Sequence, residues 1–374
     1  MIQRTIENRI EDKFFKKKSI ILYGARQVGK TTLLESIVNK RNEKVMWLNC
    51  DEPDVRKILT DVTSTRIKSI IGNSSIVVID EAQRIENIGL VIKLFVDNLK
   101  NIQVVATGSS SLELADKISE PLTGRKYLFT LYPLSFREMA DSTSLSEEKR
   151  MLEHRLVYGY YPEVVTNPGE EEERLLLLAD SYLYKDILTM ELIKKPVLID
   201  KLLRMLALQV GSEVSYKEIG TAIGADNETV EKYIDLLEKS FVIFRLNSFS
   251  RNKRNEIKKG KKIYFYDNGI RNSIIRNFNP ISLRTDKGAL FENFLISERM
   301  KKISYTGSNA TPYFWRTVQQ QEIDYVEEDA NRLDAFEFKW KSGSKARQPG
   351  TFMKAYPGSS FRDVTSSDFE DFVM

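Results

Sequence analysis

The sequence has one cysteine, Cys50, and one histidine, His154, in 374 residues. A lone cysteine cannot form an internal disulfide, and the pair is too few for a structural zinc site, so any metal ion is expected to have oxygen ligands. No stretch approaches the roughly 20 apolar residues of a membrane helix. The amino-terminal segment also lacks the apolar core of a signal peptide. We therefore expect a cytoplasmic protein without a membrane partner.

What is present is the composition of a globular protein. Apolar residues make up 41% and charged residues 29%, near the averages for soluble chains. The length exceeds one ordinary hydrophobic core and predicts several structural units. The net charge of +4 is too small to indicate a nucleic-acid partner by itself. Basic residues are nevertheless concentrated in segment 251–262, which carries seven of them and one acid.

Short apolar strands alternate with helical segments over the first 140 residues, which predicts a parallel sheet covered on both faces. Helical spacing then continues to about Lys195 and predicts a lid or connector, with Tyr182 among its apolar positions. From residue 199 a helix, helix, helix, strand order is typical of a winged helix, with Ser215 and Glu218 as a capping box. The strands predicted for the first part are Ser19–Tyr23, Val45–Asn49, Ile76–Ile79, Gln103–Thr107 and Tyr127–Leu131.

A phosphate-binding loop is predicted between Gly24 and Thr31. The run SIILYGARQVGKTTLL places a strand, the pattern G-x-x-x-x-G-K-T and a helix in succession. Glycines permit the tight loop, backbone N–H groups face the phosphates, and the start of the helix favours an anion. Lys30 is expected to reach the β and γ phosphates, and Thr31 to bind Mg²⁺. The full set expected to bind ATP here is Gly24, Ala25, Arg26, Gln27, Val28, Gly29, Lys30, Thr31 and Thr32.

The run IVVIDEAQ supplies a strand that ends in two acids. Asp80 is expected beside the loop, where its carboxylate can hold the hydration shell of Mg²⁺. Glu81 is suited to polarise a water molecule for attack on the γ-phosphate. We therefore predict Glu81 as the catalytic base, with Lys30 stabilising the phosphates.

Three further residues are candidates for the nucleotide site. Thr107 and Ser109 follow another apolar strand and could contact the γ-phosphate, although a polar loop that caps a helix explains them equally well. Arg125 could neutralise transition-state charge, either in its own subunit or in a neighbour of a homo-oligomer. Any surface arginine could be described in the same way.

These motifs support a resemblance. GARQVGKTTLL, IVVIDEAQRI, TGSS, the L-x-G-R segment before YPLSFREM, and YYPEVV with YLYKDIL resemble bacterial and archaeal ATPases of the AAA+ type, in the signal-transduction branch. The resemblance implies an α/β fold, an αβα sandwich with a helical lid, followed by a winged helix and a C-terminal domain. The implied domains are an ATPase core at 1–140, a lid at 141–198, a winged helix at 199–262 and a C-terminal domain at 263–374.

DNA is the partner considered for the winged helix. The basic segment 251–262 would lie where a wing meets a phosphate backbone, although a solvated loop is the alternative. The supposed recognition helix is acidic, which argues against reading of the major groove. Its acids are Glu228, Glu231, Asp235 and Glu238. Non-specific backbone contact and no DNA contact therefore both stay open.

The C-terminal segment brings acids together by strand periodicity. If a hairpin loop spans Asp329 to Arg332, Glu328 pairs with Leu333, and Asp324 lies opposite Glu337. Two facing carboxylates repel unless a cation lies between them, which suggests Mg²⁺ with Lys339 orienting a water. The alternative is a half-exposed hairpin whose acids pair with nearby lysines, among them Lys339.

A second resemblance concerns the same residues. Asp324 and the Glu-x-Lys of Glu337 and Lys339 resemble the core of the PD-(D/E)XK nuclease fold, and Glu292 matches its helical acid. Ile323 stands where that pattern has proline. Glu292 alone is also explained as an acid favoured by the helix dipole. The resemblance implies a restriction-endonuclease-like domain with a metal site at Glu292, Asp324 and Glu337.

Three functions follow as hypotheses. The first is Mg-dependent ATP hydrolysis that drives or gates a DNA-associated C-terminal domain. The second is a slow ATP-dependent regulatory switch that acts through protein partners, with an inactive nuclease-like domain. The third is a metal-dependent nuclease gated by ATP.

Overall fold

The computed structural model describes residues 2–109, 118, 121–180, 195–251, 260–317, 319–330, 332–341, 343 and 348–374. Tyr182, most of the basic segment 251–262 and part of the predicted hairpin loop lie outside the described residues. Contacts divide the chain into two compact units. The first comprises Met1–Pro133 with Lys239–Phe241, and the second comprises Leu134–Glu238 with Val242–Met374.

The first unit is built on a parallel sheet of five strands in the order β2-β3-β4-β1-β5. Each strand is a short apolar run, and β1, β3 and β4 are almost wholly buried, as expected for the interior of a parallel sheet. The predicted α/β class and parallel sheet are confirmed. The strands are β1 (Ser19–Tyr23), β2 (Val45–Asn49), β3 (Ile76–Asp80), β4 (Gln103–Gly108) and β5 (Lys126–Thr130).

Four of the five described helices in the first unit lie between successive strands, and each buries apolar residues. The segments after β2 and β3 contribute Val55, Ile67 and Phe95 to a core that also holds Ile21 and Val77 from the sheet. The helices are α1 (Glu7–Glu11), α2 (Lys30–Asn39), α3 (Pro53–Leu59), α4 (Ser64–Ile71) and α5 (Ile88–Asn98), with a 3₁₀ turn at Ala82–Arg84.

The second unit contains a mixed sheet of seven strands in the order β12-β11-β10-β9-β7-β8-β6. The predicted boundary after residue 262 falls within β8, whose neighbours on both sides belong to this sheet. The division into four domains stays a prediction. The strands are β6 (Glu213–Val214), β7 (Ile243–Ser248), β8 (Lys261–Phe265), β9 (Thr311–Arg316), β10 (Glu322–Asp329), β11 (Arg332–Lys339) and β12 (Ser360–Thr365).

Helices make up most of the remaining chain. Ser135 begins one with a capping box to Glu138, and the Ser215 side chain accepts the predicted hydrogen bond from the Glu218 N–H. None of the described helices is long and apolar enough to cross a membrane. The helices are α6 (Phe136–Ser142), α7 (Leu145–Arg150), α8 (Leu152–Tyr158), α9 (Pro162–Val165), α10 (Glu171–Leu178), α11 (Pro196–Leu208), α12 (Tyr216–Ile223), α13 (Asn227–Lys239), α14 (Asn268–Ile274), α15 (Lys287–Thr306), α16 (Gly350–Ala355) and α17 (Glu370–Val373), with a 3₁₀ turn at Ile281–Leu283.

The predicted register of the C-terminal hairpin agrees with the structure. Strands β10 and β11 are antiparallel, and Glu328 pairs with Leu333. The Phe338 N–H donates to Asp324 Oδ2 at 2.8 Å. The Asp324 carboxyl therefore lies against the backbone of β11, at the residue next to Glu337 in the sequence. The turn is tighter than expected, because Asp329 and Arg332 still pair with each other.

Candidate nucleotide site and a charged cluster

A sharp loop joins β1 to α2. Gly24 directly follows the strand, at a point where a Cβ atom would lie 2.1 Å from the Leu131 carbonyl oxygen. Gly29 has a φ of +91° and directly precedes the first residue of α2. Only glycine fits the first position, and the second favours it. The predicted loop therefore lies at the carboxyl edge of the sheet, with the start of a ten-residue helix behind it.

Lys30 is the first residue of α2 and is buried. Its ammonium donates to the Gly24 carbonyl at 3.0 Å and to the Ala25 carbonyl at 2.8 Å. The loop thus holds a positive charge against its own backbone. A phosphate oxygen would compete for the same ammonium.

Thr31, Asp80 and Thr107 form one hydrogen-bonded group. The Thr31 hydroxyl donates to Asp80 Oδ2 at 3.0 Å, and the Thr107 hydroxyl donates to Asp80 Oδ1. The Thr107 oxygen also accepts from the Glu81 N–H at 3.1 Å. A hydroxyl beside a carboxylate is a donor set that suits Mg²⁺ and its waters. The residues therefore fit a magnesium-bound nucleotide at this loop.

Glu81 follows β3 in a left-handed conformation, with φ of +51°. Its carboxylate accepts from the amide of Gln83 and from the Ser109 hydroxyl, the latter at 3.4 Å. Gln83 also donates to Ser109 Oγ at 2.9 Å. Strained backbone of this kind is common at functional sites, and here it directs the acid toward β4. Gln83 was not predicted, although its place two residues after Glu81 is the signal that could have found it.

Arg125 does not join this group within its own chain. It precedes β5, and its carbonyl accepts from the Ser19 N–H at the amino edge of the sheet. The five-residue strands separate that edge from the loop by about 16 Å. Its guanidinium forms an ion pair of 2.7 Å with Asp97. Arg125 is therefore far from the loop of its own chain in this structure, and its role in its own subunit or in a neighbour stays a prediction.

Arg4 is a site residue that the sequence did not predict. Its side chain is buried and donates to the Val28 carbonyl at 2.7 Å and to the Tyr132 carbonyl at 2.6 Å. The guanidinium thus ties the phosphate-binding loop to the segment after β5. No local pattern marks it, because the contact spans 24 residues to the loop and 128 to Tyr132.

We expect Arg4→Met to weaken ATP binding about tenfold, because two buried carbonyls lose a charged donor and the loop loses its preorganisation. Arg4→Lys is expected to recover part of the affinity, since an ammonium can still serve one carbonyl. Titration calorimetry with the full chain measures both. Equal affinity in the Met variant and the wild type would contradict this role.

The second unit holds a separate charged cluster around Lys262, which is 2% exposed. Its ammonium lies 3.4 Å from Glu292 Oε1 and also forms an ion pair with Glu322. The Tyr264 hydroxyl donates to the same oxygen of Glu292 at 2.6 Å. Burial lowers the pKa of Lys262, but the charges of Glu292, Glu322 and Asp324 outweigh it and leave the pKa raised. The lysine is therefore a buried cation among acids.

Asp324 and Glu337 lie at the same cluster. Burial raises the pKa of Asp324 well above its ordinary value, and the charges of Glu292 and Glu337 raise it further. The Lys339 ammonium is 2.8 Å from Glu337 Oε1. The three predicted acids and Lys339 are thus brought together. Of the pairs expected in the alternative interpretation, with Lys339 and Lys341, the one between Lys339 and Glu337 is present.

A metal cage is not formed there. In the described part of the chain, no three carboxylate, histidine or cysteine side chains are placed to hold a metal ion. The ammonium of Lys262 lies among the acids and supplies positive charge that a metal ion would otherwise bring. Sequence reasoning missed Lys262 because it fell in the basic segment and its partners are distant in the chain.

Lys262→Met is expected to destabilise the second unit by about 3–5 kcal/mol, because it leaves buried acids without their cation. Lys261→Met provides the matched control. The ammonium of Lys261 lies 3.7 Å from the exposed Glu231, a kind of pair that contributes about 1 kcal/mol at most. Chemical unfolding followed by the fluorescence of Trp315 and Trp340 measures both variants. Similar unfolding midpoints for the two would contradict the assigned role of Lys262.

Comparison with known proteins agrees with the geometry of the first unit. Residues 16–140 match the family model of an AAA domain. Two further models, both described as domains of unknown function, match residues 149–280 and 287–367. The first part of the chain is a P-loop ATPase-like domain of the AAA+ type, as predicted from its motifs.

Similar proteins span most of the chain at low identity. The uncharacterized protein MJ1544 of Methanocaldococcus jannaschii is 24% identical over 344 residues, covering 86% of this chain and 75% of the relative. An uncharacterized protein of Haemophilus influenzae is 24% identical and covers 68% of each chain. The crystal structure of a signal-transduction ATPase with numerous domains, PH0952 from Pyrococcus horikoshii, has a TM-score of 0.29 at 13% identity, covering 81% of this chain and 46% of that chain.

Proposed function

We propose that the protein binds ATP with Mg²⁺ at the loop from Gly24 to Thr31 and hydrolyses it. The observation that carries the proposal is the hydrogen bond of 3.0 Å between Thr31 and Asp80 beside the loop. The Thr31 hydroxyl is in the helix that follows β1, and the Asp80 carboxylate is at the end of β3. They meet because β1 and β3 end at the same edge of the sheet. That edge also holds Lys30 and Glu81.

Each residue has a chemical role in this proposal. Backbone N–H groups of Ala25 to Gly29 bind phosphate oxygens at the start of α2, and Lys30 adds a positive charge there. Thr31 and Asp80 would hold Mg²⁺, which when bound neutralises charge on the phosphates. Thr107 fixes the Asp80 carboxylate by a hydrogen bond, so that its orientation is set before the nucleotide arrives.

Glu81 is the proposed base. Its carboxylate is held by hydrogen bonds from Gln83 and Ser109. In this position it is anchored, and it must exchange those contacts to orient a water on the γ-phosphate. Nucleotide binding favours release of Glu81 from Gln83 and Ser109 only if the released carboxylate interacts better with the bound phosphates and their water than the anchored one does.

The charged cluster of the second unit supports the regulatory switch over the nuclease. Lys262 lies 3.4 Å from Glu292 and pairs with Glu322, so the chain itself supplies a cation among these acids. We therefore propose that ATP turnover in the first unit changes what the second unit binds, without cleavage of a nucleic acid. DNA association through segment 251–262 and the C-terminal region stays a prediction.

The test is phosphate release by the purified full chain with ATP, in the presence of Mg²⁺ or of a chelator. We expect turnover only with Mg²⁺, and no cleavage of single- or double-stranded DNA when Mg²⁺ or Mn²⁺ is added. Turnover that persists in chelator would contradict the magnesium site. Metal-dependent cleavage that is lost in Lys339→Ala would contradict the switch and favour the nuclease.

A further inference from the structure

A strained turn precedes β1 at the amino edge of the first unit's sheet. Phe15 and Lys17 both have left-handed backbones, with φ of +56° and +61°. Such conformations are uncommon for residues other than glycine and need support from their surroundings. The support comes from Gln103, which is 2% exposed. Its side chain accepts from the Phe15 N–H at 2.7 Å and donates to the Lys18 carbonyl at 3.1 Å.

The turn presents an aromatic ring and positive charges together. Phe15 is 38% exposed, although phenylalanine is usually buried, and the Arg41 guanidinium lies 5.6 Å from the centroid of its ring and adds a further positive charge. With Lys17, Lys18 and Lys100 it lines a cavity of about 180 Å³, and the other lining residues are Gln103 and four apolar side chains. An apolar surface surrounded by lysines, with no acid among the described residues that line it, suits a ligand that is both planar and anionic.

The charge of this turn is not neutralised by its neighbours. Neither Lys17 nor Lys100 forms an ion pair with any residue that the structure describes. Two acids on adjacent elements are already engaged, since Glu43 pairs with Arg41 at 3.0 Å and Asp97 with Arg125 at 2.7 Å. Glu11, in the helix before the turn, lies near the ammonium of Lys40. Asp12, in the same connection, is exposed and faces solvent. The positive potential is therefore available to a polyanion.

We propose that this turn binds single-stranded nucleic acid. The ring of Phe15 stacks on a base, while Lys17, Lys18 and Lys100 contact the adjacent phosphates, which is how proteins hold single strands without reading their sequence. An acidic peptide offers the charge but no base for stacking. The turn lies at the amino ends of β1 and β4, whereas the phosphate-binding loop lies at the carboxyl end of β1. Nucleic acid and ATP can therefore bind at the same time, and the inference does not depend on the proposed hydrolysis.

The first test reverses the charge. We expect Lys17→Glu combined with Lys100→Glu to weaken binding of a fluorescein-labelled oligothymidylate about tenfold or more at low salt, and to reduce the salt dependence. Lys57→Glu combined with Lys68→Glu is the matched control, since these exposed lysines belong to the same unit and do not line the cavity. Fluorescence anisotropy of the full chain measures both. Equal loss in the two double variants would overturn the proposal.

The second test separates stacking from charge. Phe15→Ala is expected to weaken binding at least about fivefold, and Phe15→Trp to retain it. Both variants keep the charge, and Phe15 is exposed enough for them to fold. Oligothymidylate affinity that is unchanged in Phe15→Ala would overturn the proposal. So would displacement of the oligonucleotide by polyglutamate, or by anionic phospholipid vesicles, as effectively as by unlabelled oligonucleotide.

Discussion

Glu81→Gln is expected to lower ATP turnover by about 100-fold or more, because the amide cannot accept a proton from the attacking water. Binding of ATP is expected to change little, since glutamine is close in shape to glutamate and the residues that bind the phosphates are in the loop from Gly24 to Thr31. Gln can still accept from Gln83, so the local packing is preserved. Phosphate release gives the turnover, and calorimetry gives the affinity.

The matched control for that variant is Glu86→Gln. Glu86 is exposed and lies five positions after Glu81, and its substitution by glutamine removes the same charge. We expect its turnover to equal that of the wild type. A Glu81→Gln variant that hydrolyses ATP as fast as Glu86→Gln would contradict the assignment of Glu81 as the base.

Gly24→Ala is expected to abolish ATP binding and to destabilise the first unit by about 1–3 kcal/mol. The new Cβ would lie 2.1 Å from the Leu131 carbonyl oxygen, which is backbone and cannot rotate away. Either β1 or the segment after β5 must move, and the loop is built between them. Thermal unfolding and calorimetry measure the two effects.

Gly288→Ala serves as the control for a glycine substitution. Among the residues that the structure describes, no atom beyond the local helix backbone lies within 4 Å of a Cβ added at Gly288, which is in the first turn of α15. Alanine there is expected to leave ATP binding unchanged and to stabilise by at most about 1 kcal/mol. Equal behaviour of the two alanine variants would contradict the account of the loop.

The first unit could be predicted closely because its signals are local. The buried strands are continuous apolar runs, which predict the sheet. The glycine motif between β1 and α2 predicts the loop that joins them. The meeting of Lys30, Thr31 and Asp80 then follows from parallel strands that end at one edge. Arg125 lies just before the predicted strand Tyr127–Leu131, which places it at the amino end of β5, but the sequence does not show whether it acts on the site of a neighbouring subunit.

The second unit was harder to predict because its contacts are distant in the chain. The hairpin register was correct, since Glu328 and Leu333 pair and the two-residue period carries the rest. No sequence pattern indicated that β7 pairs with β9, more than sixty positions later, or that the register shifts between Ile323 and Val326. The sequence places Lys262 in a basic segment, whereas in the structure it is a buried ion-pair partner.

The measurement that tests the central claim most directly is the affinity of the full chain for ATP with Mg²⁺, compared with that of Lys30→Ala. Lys30 is the first residue of the helix behind the loop, and its ammonium lies 2.8 Å from the Ala25 carbonyl. We expect saturable binding of one nucleotide per chain in the wild type and no measurable binding in the variant. Wild-type protein that does not bind ATP, or a variant that binds it equally well, would contradict the account.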